Sequence, residues 1–448
     1  MLDPGLPHGN PERTGRYIAV FAEDDSDPAG LLADCGLTEV ADTRDLAGPA
    51  SPSTRAEAAH RAQGLYFAEL GIAVLSAEDA QLETLRSRSV DQRRGVEIYP
   101  ELVHHVLDAG SPGRHRSDAG AGTGGGGTDA DAQAPAPAFA DTDDFTWGLQ
   151  AVGADTSPAL GEGIKVAVLD TGFDIGHPDF ADRTVVTESF VDGEDAQDGH
   201  GHGTHCIGTS CGPRQVDSGR GFGVAAAADI YAGKVLGSSG SGDDAGILAG
   251  IDWAISQGCA VVSMSLGADV AEVHPPYVAA GKRALARGTL IIAAAGNNAE
   301  RSAGNPGFVG TPANSPYIMA VGAVDQRLDI ADFSARSGAN EGGQVDVAGP
   351  GVDVYSSWPM PQRYSTISGT SMATPHAAGV AALLAATTGL RGRELWAELV
   401  QGCQRLDAAS ADVGAGLVRA PQATPTDPDP GEGGERRPAP PDEGGAPA

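Results

Sequence analysis

Five short, largely apolar runs, at 166–169, 230–236, 261–266, 290–295 and 318–324, constrain this chain more than any other feature. None alternates polar with apolar residues. Each therefore predicts a strand covered on both faces, the environment of a parallel sheet. Helical patterns lie between them. The stretch 245–257 carries Ile247, Leu248, Ile251 and Ile255 on one face, with Gly258 placed to end it. The stretch 278–287 is ended by Gly288 in the same way. From Trp147 to about Ala420 this alternation predicts an α/β, parallel doubly wound architecture. Such a sheet presents its chemistry at the carboxyl ends of its strands.

Around that unit the chain divides into four parts: 16–107, 108–142, 143–420 and 421–448. The first reads β-α-β-α-β, a small α+β open-sheet domain. Its strands are expected at 17–21, 65–75 and 95–99, with helices at 54–63 and after Ser76. Ser76 is the expected N-cap and Asp79 its acidic N3 partner, with Leu82 and Leu85 on one face. The second part loses all periodicity. Gly124 to Gly127 and the Ala-Pro repeat at 134–137 predict a flexible, protease-sensitive linker. The last part, rich in Pro, Gly and Glu, predicts a disordered acidic tail.

Composition excludes several functions. A net charge of −31 over 448 residues argues against nucleic acid or an anionic membrane as partner. No apolar run approaches the roughly 18 residues of a membrane span. Residues 1–16 are polar, with Pro4, Pro7 and Pro11 and no apolar segment after them, so the expected compartment is cytoplasmic. Secretion, through a leader upstream of Met1, is the alternative. Cys35, Cys206, Cys211, Cys259 and Cys403 are an odd and scattered set, expected as free thiols.

Three segments carry chemistry. Asp170 ends the first apolar run and is followed by Thr171-Gly172. His202 lies in His200-Gly201-His202-Gly203-Thr204-His205-Cys206. Ser371 lies in Gly369-Thr370-Ser371-Met372-Ala373-Thr374-Pro375-His376, before a small-residue helix, with Pro375 expected in that helix's first turn. A hydroxyl is a poor nucleophile until an imidazole takes its proton, and the imidazole needs a carboxylate to fix its tautomer. The backbone N–H groups of a helix start favour a developing anion. Taken singly, Gly-Thr-Ser is an ordinary helix cap, Asp170 a turn residue and Gly296-Asn297 turn chemistry. The histidines, with Cys206 and Cys211, can also be drawn as a zinc site, but no second Cys/His pair stands out.

Together these segments resemble the subtilisin-like serine peptidases (the subtilases), and they occur in that family's Asp, His, Ser order. Ser263-Met264-Ser265-Leu266-Gly267 and Ala293-Ala294-Ala295-Gly296-Asn297 match as well. The resemblance implies a serine endopeptidase with Ser371 as nucleophile, His202 as general base and then acid, and Asp170 as orienting carboxylate. Asn297 becomes the oxyanion donor, beside the Ser371 N–H. Gly240, Ser241 and Gly242 form one rim of the substrate cleft and Ser265, Leu266 and Gly267 the other, with Gly296 also substrate-binding. Cys206 resembles the thiol of a mercurial-sensitive subgroup, and His376 has no part in the template. The chemistry requires no cofactor. A structural calcium is implied at Asp179 and Asp217, and a second cation at Asp346 with the carbonyls of Pro316 and Ile318; acidic surface loops in a strongly negative chain are the competing reading.

The first domain resembles the family's inhibitory propeptide. That implies polypeptide substrates, the chain's own N-terminal domain as intramolecular inhibitor, and self-cleavage near Leu107. The family's joint is short, so the segment 108–142 leaves open a first cut elsewhere, with later trimming. A maturation peptidase for one precursor is one alternative function. An inactive peptide-binding scaffold is another, from a different class.

Overall fold

The computed structural model describes residues 11–45, 63–91, 94–107, 137–216, 219–339 and 342–423. Strand β1 (Arg13–Val20) leads into helix α1 (Pro28–Asp34), a seven-residue element too short to show in the apolar pattern. Asp27 caps α1 by accepting from the Gly30 amide, and Pro28 enters where no N–H is needed. After β2 (Val40–Asp42), the run expected as one strand over 65–75 is a hairpin. Its arms β3 (Gly64–Phe67) and β4 (Ile72–Leu75) pair antiparallel with Phe67 opposite Ile72. Gly71, at φ +55°, supplies the left-handed residue that reverses the chain there.

Helix α2 (Asp79–Asp91) starts later than the Ser76 cap predicts. The Glu78 carbonyl accepts the first helical amides and the Gln81 side chain accepts the Glu78 amide, while the Ser76 amide is spent on Gln63. Strand β5 (Glu97–Val106) runs well past the expected 95–99. The helix expected at 54–63 lies almost wholly outside the described residues. The sheet order is β5-β1-β4-β3-β2, antiparallel except between β2 and β3. One face is covered by α1 and α2 through Leu31, Leu32 and Leu85. The other presents Ile18, Phe67, Leu70 and Ile72 to Ile247, Leu248 and Ile251 of the second unit, in one shared core.

The second unit begins before the expected boundary. The Phe139 amide donates to Gln326, and the Asp141 carboxylate accepts the Trp147 amide at the start of α3 (Trp147–Val152). Residues 137–142 therefore belong to this unit; 108–136 lie outside the described residues. Next come β6 (Lys165–Asp170), β7 (Val185–Ser189), α4 (His202–Cys211), the small hairpin of β8 (Gln215–Val216) and β9 (Gly219–Arg220), and β10 (Asp229–Lys234). They are followed by β11 (Ser241–Asp243), α5 (Asp244–Ser256), β12 (Val261–Met264), β13 (Leu266–Gly267), α6 (Pro275–Ala286), β14 (Leu290–Ala294) and β15 (Met319–Val324). The chain closes with β16 (Val347–Pro350), β17 (Val354–Ser357), β18 (Tyr364–Ile367), α7 (Thr370–Thr388), α8 (Gly392–Gln401) and α9 (Ser410–Val413).

Seven parallel strands stand in the order β16-β15-β14-β12-β6-β10-β7. All five apolar runs are in it. The additions are β7, half exposed, and β16, whose Gly-Pro content hides it. β6 comes first in the chain yet lies between β12 and β10, so the winding reverses at its edge. That reversal opens a crevice at the carboxyl end of β6. Gly258 and Gly288 follow α5 and α6 as expected.

Pro375 is not in the first turn of α7. It is the sixth residue of a helix that begins at Thr370. Its missing N–H frees the Ser371 carbonyl, which accepts the Ser265 hydroxyl at 2.7 Å instead. At the other end, the Ser157 hydroxyl holds the Pro421 carbonyl at 2.6 Å and Gln422 reaches Gly153. The expected tail thus loses its first residues to the folded unit, and 424–448 lie outside the described residues. All five cysteines are unpaired. Among the described residues no helix is long and apolar enough to cross a membrane.

Candidate active site

Asp170 is the last residue of β6 and His202 the first of α4. The local sequence joins them. Asp198 is a buried carboxylate that accepts the hydroxyls of Thr171 and Thr204 at 2.9 and 2.7 Å, together with the amides of His200, Gly201 and Thr204. It ties the loop after Asp170 to the start of α4, where Gly201 offers no side chain to cap the helix. His202 then donates from Nδ1 to Asp170 Oδ1 at 2.8 Å, with both side chains about 1 % exposed.

Burial by itself would lower the His202 pKa, but Asp170 outweighs it and holds the imidazole well above its ordinary value. Cys206 lies one turn along α4, with Sγ 3.8 Å from His202 Nδ1. Burial pushes its thiol up, so it is neutral near pH 7 and the carboxylate is the partner that counts. The structure does not gather the five residues drawn as a zinc site. Among the described residues only Asp170, His202 and Cys206 come together, and the imidazole nitrogen facing them is already hydrogen-bonded. His205 Nε2 is engaged by the Val354 carbonyl, and burial pushes this ring down to about 3. His376 is pushed down to about 4 and bonds the Met372 carbonyl one turn back, a neutral core residue as expected.

Ser371 is the second residue of α7, where backbone N–H groups lack helical partners. Its hydroxyl donates to the Ser265 carbonyl at 3.0 Å. His202 Nε2 is buried without a hydrogen-bond partner. The expected series is therefore closed between carboxylate and imidazole, and open between imidazole and hydroxyl.

Asn297, in the loop after β14, is oriented by a residue to which the sequence assigned no role. Thr370 donates both its amide and its hydroxyl to Asn297 Oδ1, each at 2.9 Å. That leaves Nδ2 to point outward, and it donates to the Leu107 carbonyl at 2.7 Å. A Cβ at Gly369 would stand 2.7 Å from that same oxygen, so a glycine is required for the approach. Leu107 Cδ1 lies beside Gly267.

Upstream of Leu107, β5 fills the cleft as a strand between two strands. Leu266 and Gly267 pair with Val106 and His105; Ser241, Gly242 and Asp243 pair with His105, His104 and Val103; and Gly240 accepts the Val106 amide. Gly240, Ser241, Gly242, Leu266 and Gly267 are thus where the sequence put them, as backbone rims for an extended chain. Two residues are not rims of that kind. The Ser265 carbonyl and hydroxyl both serve Ser371, so the ladder starts one residue later. The Gly296 amide donates to the Thr370 hydroxyl and its carbonyl accepts the Ala335 amide, so its backbone braces Asn297 and not the extended strand.

The cation ligands fare unevenly. Asp179 meets Arg363, whose guanidinium reaches Oδ1 at 2.5 Å and supplies a positive charge, while Oδ2 is buried without a hydrogen-bond partner. Asp217 lies outside the described residues. Asp346 accepts the Ala320 amide at 2.7 Å, and burial pushes its carboxyl up to about 7. That is the state of a buried acid without a cationic partner. Pro316 and Ile318 precede β15, the strand beside it.

Sequence comparison agrees with this geometry. The family model described as "Subtilase family" matches residues 161–416. Subtilisin DY of Bacillus licheniformis is 40% identical over 243 residues, covering 53% of this chain and 83% of that protein. Subtilisin Savinase of Lederbergia lenta is 42% identical with the same coverage. M-protease of Shouchella clausii is also 42% identical, but the match spans 59% of its length.

Proposed function

Since the chain belongs to the subtilase family and is a serine endopeptidase, we propose that it is made as a self-inhibited zymogen that cleaves itself after Leu107. The observation that carries this is the Leu107 carbonyl seated on Asn297 Nδ2 at 2.7 Å, against the helix start that holds Ser371. A carbonyl held there is where a tetrahedral oxyanion forms, with Asn297 and the Ser371 N–H as donors aimed in advance. The cleft residues N-terminal to the cut are filled by β5, so no other substrate enters while it stays.

The steps use the groups in place. Rotation of Ser371 between staggered wells exchanges the Ser265 carbonyl for the unpartnered His202 Nε2. His202 takes the hydroxyl proton as Oγ attacks the carbonyl carbon, and Asp170 stabilises the imidazolium and keeps Nδ1 protonated. The imidazolium then protonates the leaving amine, and an acyl-enzyme remains for water to release. Subtilases need no cofactor for this chemistry. A structural calcium fits Asp346, with the carbonyls of Pro316 and Ile318, better than the Arg363-paired Asp179; added calcium then raises Tm and Asp346→Asn removes the gain.

The test is processing in the purified chain. The wild type separates into two fragments and gains activity as the N-terminal unit is degraded, while Ser371→Ala stays intact. A Ser371→Ala chain cut at the same place when pure would show that another protease makes the cut.

A further inference from the structure

Side chains alternate along β5 as it passes through the cleft. His105 is more than half exposed, near Glu12, whereas His104, three residues before Leu107, is fully buried. His104 Nε2 donates to Asp244 Oδ1 at 2.7 Å. Asp244, at the first position of α5, is itself fully buried and accepts three further groups: His274 Nε2 at 3.1 Å, the Tyr277 hydroxyl at 2.7 Å and the Leu102 amide at 2.7 Å. The rings of His104 and Tyr277 meet edge to face at 5.7 Å.

Burial alone would raise the Asp244 pKa, yet His104 and His274 outweigh it and hold the carboxyl well below its usual range. The pocket is therefore a closed anionic hole. Asp244, His274 and Tyr277 remain with the catalytic unit when β5 leaves, while His104 and the Leu102 amide leave with the strand. A substrate lying along the same rims must present its own fourth residue before the cut to this carboxylate. An aliphatic side chain covers a buried charge without a donor, which is costly. An imidazole restores the bond, and its short reach matches the 2.7 Å contact where a lysine or arginine chain overruns it.

We propose that Asp244, walled by Tyr277 and His274, makes this peptidase select histidine as the fourth residue before the scissile bond. This rests on the reading of Leu107 as the residue at the cut.

The test uses the full chain after self-processing, with active sites counted by a fluorophosphonate probe. Two quenched-fluorescent peptides share Val-Leu before the cut and differ only in His or Leu at the fourth residue. The His peptide is expected to show a kcat/KM about ten- to a hundredfold higher, the cost of leaving a buried acceptor without one of its partners. In Asp244→Leu the order reverses; if that variant does not take the probe, Tyr277→Phe is read instead and narrows the ratio. A Leu peptide cut as well as the His peptide by probe-labelled enzyme overturns the subsite and leaves the peptidase standing. No cutting of either and no labelling overturns both.

Discussion

The carboxyl end of the parallel sheet and the seat of β5 meet at Asn297, yet they are held in different ways. The sheet end is self-contained. Asp170, Asp198, Thr370 and Ser265 all take their partners from within the second unit, and the residues around them are fully buried. The N-terminal unit is held by the backbone ladders of β5, the His104–Asp244 contact, the apolar face it shares with Ile247, Leu248 and Ile251, and surface pairs such as Lys282–Glu23 and Arg287–Glu69. Exposed pairs of that kind contribute little. A groove of about 730 Å³, open to solvent on one side and lined by Arg16, Leu65, Val74, Asp243, Asp252 and Trp253, also runs along the seam of the two units. Along that groove the two units are not packed on one another, so the seam falls short of the continuous packing of a core. On the zymogen reading proposed above, the catalytic geometry persists while the N-terminal unit comes away.

The sharpest way to break this contrast is Ser371→Ala. It should lower turnover of a peptide substrate by about 10⁶, the magnitude measured for the same loss in a subtilisin. Circular dichroism should show the fold intact. Next is Asn297→Ala, expected to lower kcat by about 10²–10³ with little change in KM, again a magnitude measured on a subtilisin. If KM rose while kcat held, Asn297 would belong to the rim and not to the oxyanion site.

The third is a pH effect. His202 acts as base only when neutral, and Asp170 holds its pKa above the ordinary value of about 6.5. The acid limb of kcat/KM should therefore lie above about pH 6.5. The same pairing stabilises the fold fully below that pH and is lost as pH rises through the raised value. A limb near pH 6 would mean that the ion pair opens once β5 has left.

The smallest effect concerns the seam. Asp252 accepts the Glu69 amide at 2.8 Å, and burial pushes its carboxyl up to about 6. An acid raised on docking favours the docked state at low pH, and that advantage fades as pH rises from about 4 through about 6. Release of the N-terminal unit should be a few times faster at pH 7 than at pH 5, and Asp252→Asn should flatten the dependence.

Five apolar runs and three motif segments made the sheet and the triad residues legible, because buried parallel strands and reacting groups both leave local signatures. What escaped was set by distant partners. The Leu65 to Leu75 run reads as one strand until Gly71 turns it, and nothing local to Asp179 announces Arg363, which arrives beside it from far along the chain. Ser265 and Gly296 lie in matching segments but spend their polar groups on Ser371 and Thr370. The Asp244 pocket joins residues from three separate segments. The His104-His105 pair in a strand was its one local signal, since alternation buries one of the two.

Mass spectrometry of the purified wild-type chain after processing is the most direct test of the central claim. The account predicts an N-terminal fragment ending at Leu107, formed at a rate independent of protein concentration and absent from Ser371→Ala. A first fragment ending elsewhere, with the Leu107–Asp108 bond intact, would contradict the seating of that carbonyl on Asn297 as the step before the cut.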